Sequence, residues 1–543
     1  MSYQSYRYFI SLAVISTFFG WGSATVQAAE RHPSKLVIMI MIDQFGATYL
    51  DRVRPYLKGG LKTLMRRGAV FPYGVHRYAN TATCPGHATI VTGTWPHVHG
   101  VVNNKWFDEK TGAKTPCTQD DRFKHSPRLR MAPSFADQLN ILSDGKSKSV
   151  TISLKPRVAV ITSAESPTAS VWYDRSSGRF VSGAWYNQKS SPKWVNQINQ
   201  SRNAAMTFGN KWEYFRKDLD YEAITGKDDR HYEYDVQGLG RTFPKTYGQG
   251  LKPGDEKWLG SYRGTPHALE SMFALAKAAI ETEKLGQSEH VDFLMVGVST
   301  LDFIGHWYGP RSHEALDTIF RIDNEIQGLI DFVEARYGRD AVLWALSADH
   351  GVVATPEENQ RRGISARRVD TEKLKAEVNA ALKPYAKKRG QPTTVTTIDP
   401  PFVVLSHGEM TKSKGFIIDE AVKALRRHPS IAEAFATSKI SQMKAPFRVM
   451  YERMVYPGRR SDILIRNHPH DWIDPGNWST GTGHGSPYVY DTHVPIIIAG
   501  PKVAAQTNYE SVDVTRIVPT LSAILNFSPP SAALDEPLPF AAN

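Results

Sequence analysis

Acids and imidazoles recur where long apolar runs end. Asp43 closes the run LVIMIMID, Asp302 and His306 follow FLMVGVST, Asp349 and His350 close VLWALSADH, and His484 stands in GTGHGSP shortly before HVPIII. Carboxylate oxygen and imidazole nitrogen together suit zinc. Six such groups suffice for two ions with three protein ligands apiece and open positions for a substrate. Each has an ordinary alternative, since an acid at the end of an apolar run also serves as a helix cap or a surface residue. Asp302 and His306 share one face of a helical turn at i, i+4. The Asp349-His350-Gly351 triplet is more telling, because glycine lets main chain crowd a site.

A second constellation lies in ANTATCPGHATIVTGTWPHVHGVVNN, residues 79 to 104. Pro85 is placed to be the first residue of a helix running through GHATIVTG, with Thr83 just ahead of it at the positive end. A threonine oxygen is a strong nucleophile once a nearby cation lowers the cost of removing its proton; the same hydroxyl could instead simply cap the helix. A phosphoryl group in transfer needs its equatorial oxygens neutralised. Lys155 and Arg157 in SLKPR, which an extended chain of period two would aim at one side, offer a point charge and a fork for that purpose, or else an ordinary basic turn. Asn104 in VVNNKWFD could add an amide donor.

These residues need a frame that brings them together. The runs at 35–46, 291–302, 341–351 and 492–501 read as strands buried on both faces. Between and after them, 264–284, 312–338 and 513–526 carry helical periodicity; in the second, Ile319, Ile322, Ile326, Leu329, Ile330 and Val333 recur at three- and four-residue steps. The alternation predicts an α/β fold with a doubly wound, mostly parallel sheet, whose carboxyl strand ends form the ligand crevice. Two stretches break the rhythm, about 165–262, with a hairpin at SVWYDRSSGRFVSGAWY, and about 352–480. Both are expected as insertions capping the strand ends of one catalytic domain spanning 29–543.

Length and composition agree with a large globular chain: 543 residues, 41% apolar, 11% aromatic, with no repeat or low-complexity tract. Residues 1–28 have Arg7, an apolar run from Tyr8 to Phe19 and small residues ending in Val26-Gln27-Ala28, the order of a secretory signal cleaved after Ala28. The run is short for a membrane anchor, and no later stretch is apolar enough to span, so a periplasmic or secreted location is expected. The net charge of +12, or +11 once Arg7 leaves with the signal, is spread along the chain. It favours anionic ligands but forms no nucleic-acid-binding arm. Cys84 and Cys117 are the only cysteines, and either one disulfide or two thiols is compatible with their spacing.

The motifs MIDQFG, TCPGH, TGTWPHVHGVVNN, SLKPR, STLDFIGH, SADHG, GTGHGSP and VDVTRIVPTL, in this order, resemble the alkaline phosphatase superfamily over nearly the whole mature chain. Within it they are similar to the bacterial PafA/PhoK type, related to type I phosphodiesterases and nucleotide pyrophosphatases. The resemblance implies an alkaline phosphatase-like fold and an exported, monomeric, two-zinc enzyme acting on small-molecule phosphate monoesters. It implies that Asp302, His306 and His484 hold one zinc, and that Asp43, Asp349, His350 and the Thr83 oxygen hold the other. Thr83 would form a covalent phosphothreonine, with Asn104, Lys155 and Arg157 gripping the non-bridging oxygens. The Lys155/Arg157 pair favours monoesters, as phosphodiesterase relatives usually lack it. A phosphodiesterase or nucleotide pyrophosphatase on the same scaffold, or an exported anion-binding protein without turnover, are the alternatives. The magnesium site of serine-type relatives has no counterpart that can be placed here, and His87, His97 and His99 are expected to be structural.

Overall fold

The computed structural model describes residues 34–186, 190–387, 394–406, 414–474, 476 and 479–539; the expected signal, 1–28, lies outside them. The first apolar run forms β1 (Leu36–Ile42), and all seven of its residues are buried, as a strand covered on both faces requires. The central sheet adds β2 (Ala69–Val75), β3 (Ser149–Ser153), β4 (Ala169–Asp174), β5 (Arg179–Ser182), β6 (Asp292–Val298), β7 (Val342–Ser347), β8 (His493–Ala499), and the short β9 (Gln506–Thr507) and β10 (Val512–Asp513). Its order is β9-β2-β8-β7-β1-β6-β3-β4-β5, with β10 also on β2. β7, β1, β6, β3 and β4 run parallel, in register from Leu36 opposite both Asp292 and Val342. The mostly parallel α/β sheet expected from the alternation is therefore present.

Two strands depart from that pattern: β5, antiparallel to β4 at the sheet edge, and β8. β8 is antiparallel to both neighbours, β7 and β2. Its amino end therefore shares the sheet edge with the carboxyl ends of β7 and β1, and this is how His484, which precedes β8, reaches the same edge as residues that follow β7 and β1.

The helices that place the motifs are α1 (Thr83–Thr92), α2 (Pro156–Ile161), α3 (Pro266–Thr282), α4 (Thr300–Tyr308), α5 (His313–Tyr337) and α6 (Ile517–Ile524). Ile319, Ile322, Ile326, Leu329, Ile330 and Val333 of α5 are all buried, so its periodicity marks the face packed on the sheet.

The two interruptions behave differently from one another. The hairpin at 169–182 is not a cap: β4 pairs with β3 and extends the central sheet, with β5 at the edge. The tryptophan-rich stretch after it flanks the helices. Trp194 donates to Glu283 just beyond α3, and Trp212 donates to the buried Asp317 of α5. Among the described residues, only Arg175 of this segment lines the cleft over the strand ends.

The second interruption is the roof. Strands at 395–399, 402–405, 463–467 and 431–436 form a separate four-stranded sheet backed by the helices Thr371–Lys387 and Lys414–Arg426. Val378, Leu382, Val403, Ala421, Leu425 and Ile463 belong to its own apolar cluster. Residues from this segment line much of a cleft of about 910 Å³ above the strand ends. No helix among the described residues is long and apolar enough to cross a membrane.

Candidate metal centre

Four adjacent parallel strands deliver side chains to one place. β7 is followed by Asp349 and His350, β1 by Asp43, β6 by Asp302 and His306 on α4, and β3 by Lys155. Asp43, Asp302, Asp349 and His350 are all at most 1% exposed. His306 Nε2 lies 3.3 Å, and His484 Nε2 3.6 Å, from the same oxygen, Asp302 Oδ1. His350 Nε2 lies 3.1 Å from Asp349 Oδ2 and 3.6 Å from Asp43 Oδ1. The His350 and His484 rings stack with centroids 3.5 Å apart, so the two groupings abut. Asp302, His306 and His484 offer ligand atoms within 4.8 Å of one another, as do Asp43, Asp302 and His350. Asp302 thus stands between the groupings, beyond its expected share in one of them.

The donor chemistry fits cations. Asp43 Oδ1, Asp349 Oδ2 and His350 Nε2 are buried and make no hydrogen bond of good geometry; the carboxylate oxygens have only ion-pair approaches, with His350 Nε2 3.1 Å from Asp349 Oδ2, a costly arrangement unless a proton or a cation sits among them. All three imidazoles direct Nδ1 at a main-chain carbonyl: His306 at Thr482 (2.8 Å), His350 at Gly351 (2.9 Å) and His484 at Thr81 (2.7 Å). An Nδ1–H donated to a carbonyl fixes the tautomer and leaves the Nε2 lone pair facing the carboxylates.

Electrostatics point the same way. Burial, reinforced by the charges of Asp302 and Asp349, pushes Asp43 up to about 7. Burial and the charge of His350 push His484 down to about 3. Burial opposes protonation of His350, but Asp349 outweighs it and carries the imidazole up to about 9. A cation entering this cluster therefore competes with protons.

Thr83 is the first helical residue of α1, with Ala82 at the cap, so its hydroxyl does not cap the helix; Pro85 sits at the third position, two residues later than expected. Thr83 is buried, and its Oγ1 accepts from Arg157 Nη2 at 3.4 Å. α1 can lie this close to the acids because of Gly86, where a Cβ would stand 2.2 Å from the Asp349 carbonyl oxygen. Gly351 meets the same constraint, 2.1 Å from Tyr490 O.

Lys155 and Arg157 are not the two-residue repeat of an extended chain. Lys155 caps α2 and Pro156, whose fixed φ suits the first helical position, turns Arg157 into the helix. Lys155 Nζ bridges Asp43 Oδ2 (2.6 Å) and Asp302 Oδ2 (2.5 Å), while Arg157 faces Thr83. Asn104 lines the cleft, and its Oδ1 accepts from Cys84 N at 2.8 Å, which leaves its amide hydrogens for a ligand. Asn103 instead turns its Oδ1 to Asn104 N.

Cys84 and Cys117 are joined as a disulfide, resolving the two alternatives left by their spacing. The bridge brackets Asn104, whose main-chain oxygen accepts from Cys117 N while its side chain holds Cys84 N. Closing a span of 33 residues stabilises the fold by about 4 kcal/mol in the chain-entropy account. Cys84→Ala/Cys117→Ala should lower the unfolding free energy in urea by roughly that amount, and an unchanged denaturation midpoint would contradict it.

One residue at the cluster escaped the sequence reading, and one that it named as structural stands against a ligand. Gln44, in the left-handed region at φ 73°, donates from its main chain to Asp349 and from Nε2 to Asp302, each at 3.1 Å. His87, expected to be structural, bonds the Thr83 carbonyl and lies 3.1 Å from Asp349 Oδ2. The adjacency of Gln44 to Asp43 and the i+4 spacing of His87 from Thr83 were the available signals. His99 bonds Thr89 away from the cluster, and His97 takes main-chain contact with Arg453.

The sequence model of the type I phosphodiesterase / nucleotide pyrophosphatase family matches residues 37–436. Among curated relatives, alkaline phosphatase PafA of Elizabethkingia meningoseptica is 28% identical over 98% of each chain. Alkaline phosphatase PhoK of a Sphingomonas species is 27% identical over 93% of this chain and 90% of its own. The crystal structure of PafA superposes with a TM-score of 0.85 at 26% identity, covering 94% of this chain and 99% of that one.

Proposed function

The chain belongs to the type I phosphodiesterase / nucleotide pyrophosphatase family, and from that premise we propose that it is an exported, monomeric alkaline phosphatase that hydrolyses phosphate monoesters at a two-zinc centre through Thr83. Near-full-length similarity to named alkaline phosphatases supports the reaction. The observation that carries the centre is the set of buried atoms of Asp43, Asp349 and His350 that make no hydrogen bond of good geometry, beside the Asp302–His306–His484 grouping.

Asp302, His306 and His484 would hold one ion, and Asp43, Asp349 and His350, with the Thr83 oxygen, the other. When bound, the zinc ions would supply Lewis acidity that lowers the cost of alkoxide character on Thr83 and on the departing group. Thr83 Oγ1 attacks phosphorus, the Oγ1–P bond forms as the ester P–O bond breaks, and water then cleaves the phosphothreonine to inorganic phosphate. Arg157, already within reach of Thr83, and the free amide of Asn104 grip the non-bridging oxygens. Lys155, buried between Asp43 and Asp302, offsets the repulsion of the two carboxylates and adds positive charge beside the phosphoryl group. His87 and Gln44 fix the Asp349 carboxylate, so that His350 and Asp349 keep one arrangement.

The family match favours one second reading, a phosphodiesterase on the same frame. Comparing p-nitrophenyl phosphate with bis(p-nitrophenyl) phosphate separates them. The monoester should win in kcat/KM by more than about tenfold, and a diester preference would overturn the assignment. Arg157→Ala should cost about 10- to 100-fold on the monoester and clearly less on the diester, because the second negative charge is what the guanidinium meets. Equal losses would remove Arg157 from that role.

A further inference from the structure

The turn of the edge hairpin carries a cation that the reaction does not use. In DRSSG, residues 174–178, the Asp174 carboxylate accepts from Ser176 N and Oγ and from Ser177 N and Oγ. Gly178, at φ 67°, closes the turn against Leu259. The acid is thereby consumed by its own loop, and no carboxylate among the described residues pairs with the exposed Arg175 beside it. Arg175 lines the cleft that also holds Thr83, Asn104 and Arg157. It is at the same time a wall of a second cavity of about 350 Å³ next to the Leu154–Pro156 end of α2. Arg263 and Lys124 line that second cavity too, and Asp174 is its one acid. Arg263 stacks on Phe303, with its guanidinium carbon 4.3 Å from the ring centroid, and donates Nε to Gly260 O.

Three cations around the single carboxylate of Asp174 leave an excess of positive charge that is unfavourable in the free protein and is repaid when an anion arrives. Arg157 is committed to the transferred phosphoryl group under the function proposed above. The rigid turn fixes Arg175 at the join between the reaction cleft and the second cavity. We propose that Arg175, with Arg263 and Lys124 behind it, forms a second anion subsite that selects phosphate monoesters carrying a further anionic group on the leaving side, such as sugar bisphosphates. The inference rests on the phosphomonoesterase reading.

The test compares kcat/KM for p-nitrophenyl phosphate, fructose 6-phosphate and fructose 1,6-bisphosphate in the wild-type protein and in Arg175→Glu and Arg175→Ala. The wild type should favour the bisphosphate over the monophosphate by about fivefold or more at low ionic strength, fading with added salt. In Arg175→Glu the advantage should vanish through a raised KM, and Arg175→Ala should fall between, while p-nitrophenyl phosphate changes less than about twofold. An unchanged bisphosphate advantage, no advantage in the wild type, or an equal loss on all three substrates overturns the subsite. A wild-type enzyme that hydrolyses none of the three overturns the phosphatase reading itself, and the subsite falls with it.

Discussion

Thr83→Ala should bring phosphate release down by on the order of 10⁴-fold or more while the folded protein keeps its metal. The reasoning is geometric. Thr83 is buried at the first position of α1, its hydroxyl is not spent on capping, and Arg157 is the partner that reaches it. Among the described residues Thr83 is the hydroxyl that Arg157 reaches, so removal leaves only charge stabilisation of whatever attack water can make. Thr83→Ser keeps the oxygen and should retain most turnover. Acid quenching during steady state, followed by peptide mass spectrometry, should find phosphate on the Thr83 peptide of the wild type. Full activity of the alanine variant, or phosphate trapped elsewhere, would remove Thr83 as nucleophile; loss of metal in that variant would show instead that the substitution disturbed the cluster.

Chelation should be nearly as damaging, and reversible. Without a cation, Asp43, Asp302 and Asp349 crowd three carboxyls into a buried space that contains one lysine, Lys155. Dialysis against a chelator should abolish activity, and zinc, with manganese as the competitor to test, should restore it. The sign of the pH effect follows from Asp43. Burial and the neighbouring acids raise it to about 7, so the folded state holds that proton more tightly than the unfolded chain. Its contribution to the stability of the metal-free form is therefore present in acid and is lost as pH rises through about 7. The same proton competes with the metal. Because His350 also holds its proton up to about 9, apparent zinc affinity should fall as pH drops below about 9 and more steeply below about 7, and calorimetry should detect proton release at pH 6. Metal-free protein with full activity would refute the centre. Affinity independent of pH would exclude Asp43 as a ligand.

Much of the frame was legible because burial on both faces writes itself into composition. The runs that became β1, β6 and β7 end within a residue or two of Asp43, Ser299 and Asp349, so a census of strand ends located most of the cluster. Thr83 and Arg157 could be named but not placed, because helix starts depend on caps and prolines within a few residues: Pro156 made Arg157 helical, and α1 began ahead of Pro85. The direction of β8 was invisible, since an apolar strand reads alike both ways, and yet that direction puts His484 at the site. Gln44, the Asp349 partner of His87 and the three main-chain carbonyls that orient the imidazoles were missed for another reason. Such partners act through contacts between distant segments, and carbonyls carry no side-chain signature. The aromatic stretch after 190 was expected to cap the strand ends because it interrupts the strand–helix rhythm, but its tryptophans answer to partners just beyond α3 and on α5.

At Gly86 and Gly351 main chain rests directly on main chain, with no side chain between to yield. The first turn of α1 and the Asp349–His350 loop must therefore travel as one block, and thermal motion cannot change the spacing between Thr83 and those two residues without parting backbone from backbone. Adaptation to new esters has its freedom elsewhere, in the part of the roof held by its own apolar cluster around Val378, Leu382, Ala421 and Leu425, away from Phe402 and Tyr456, which pack on α1.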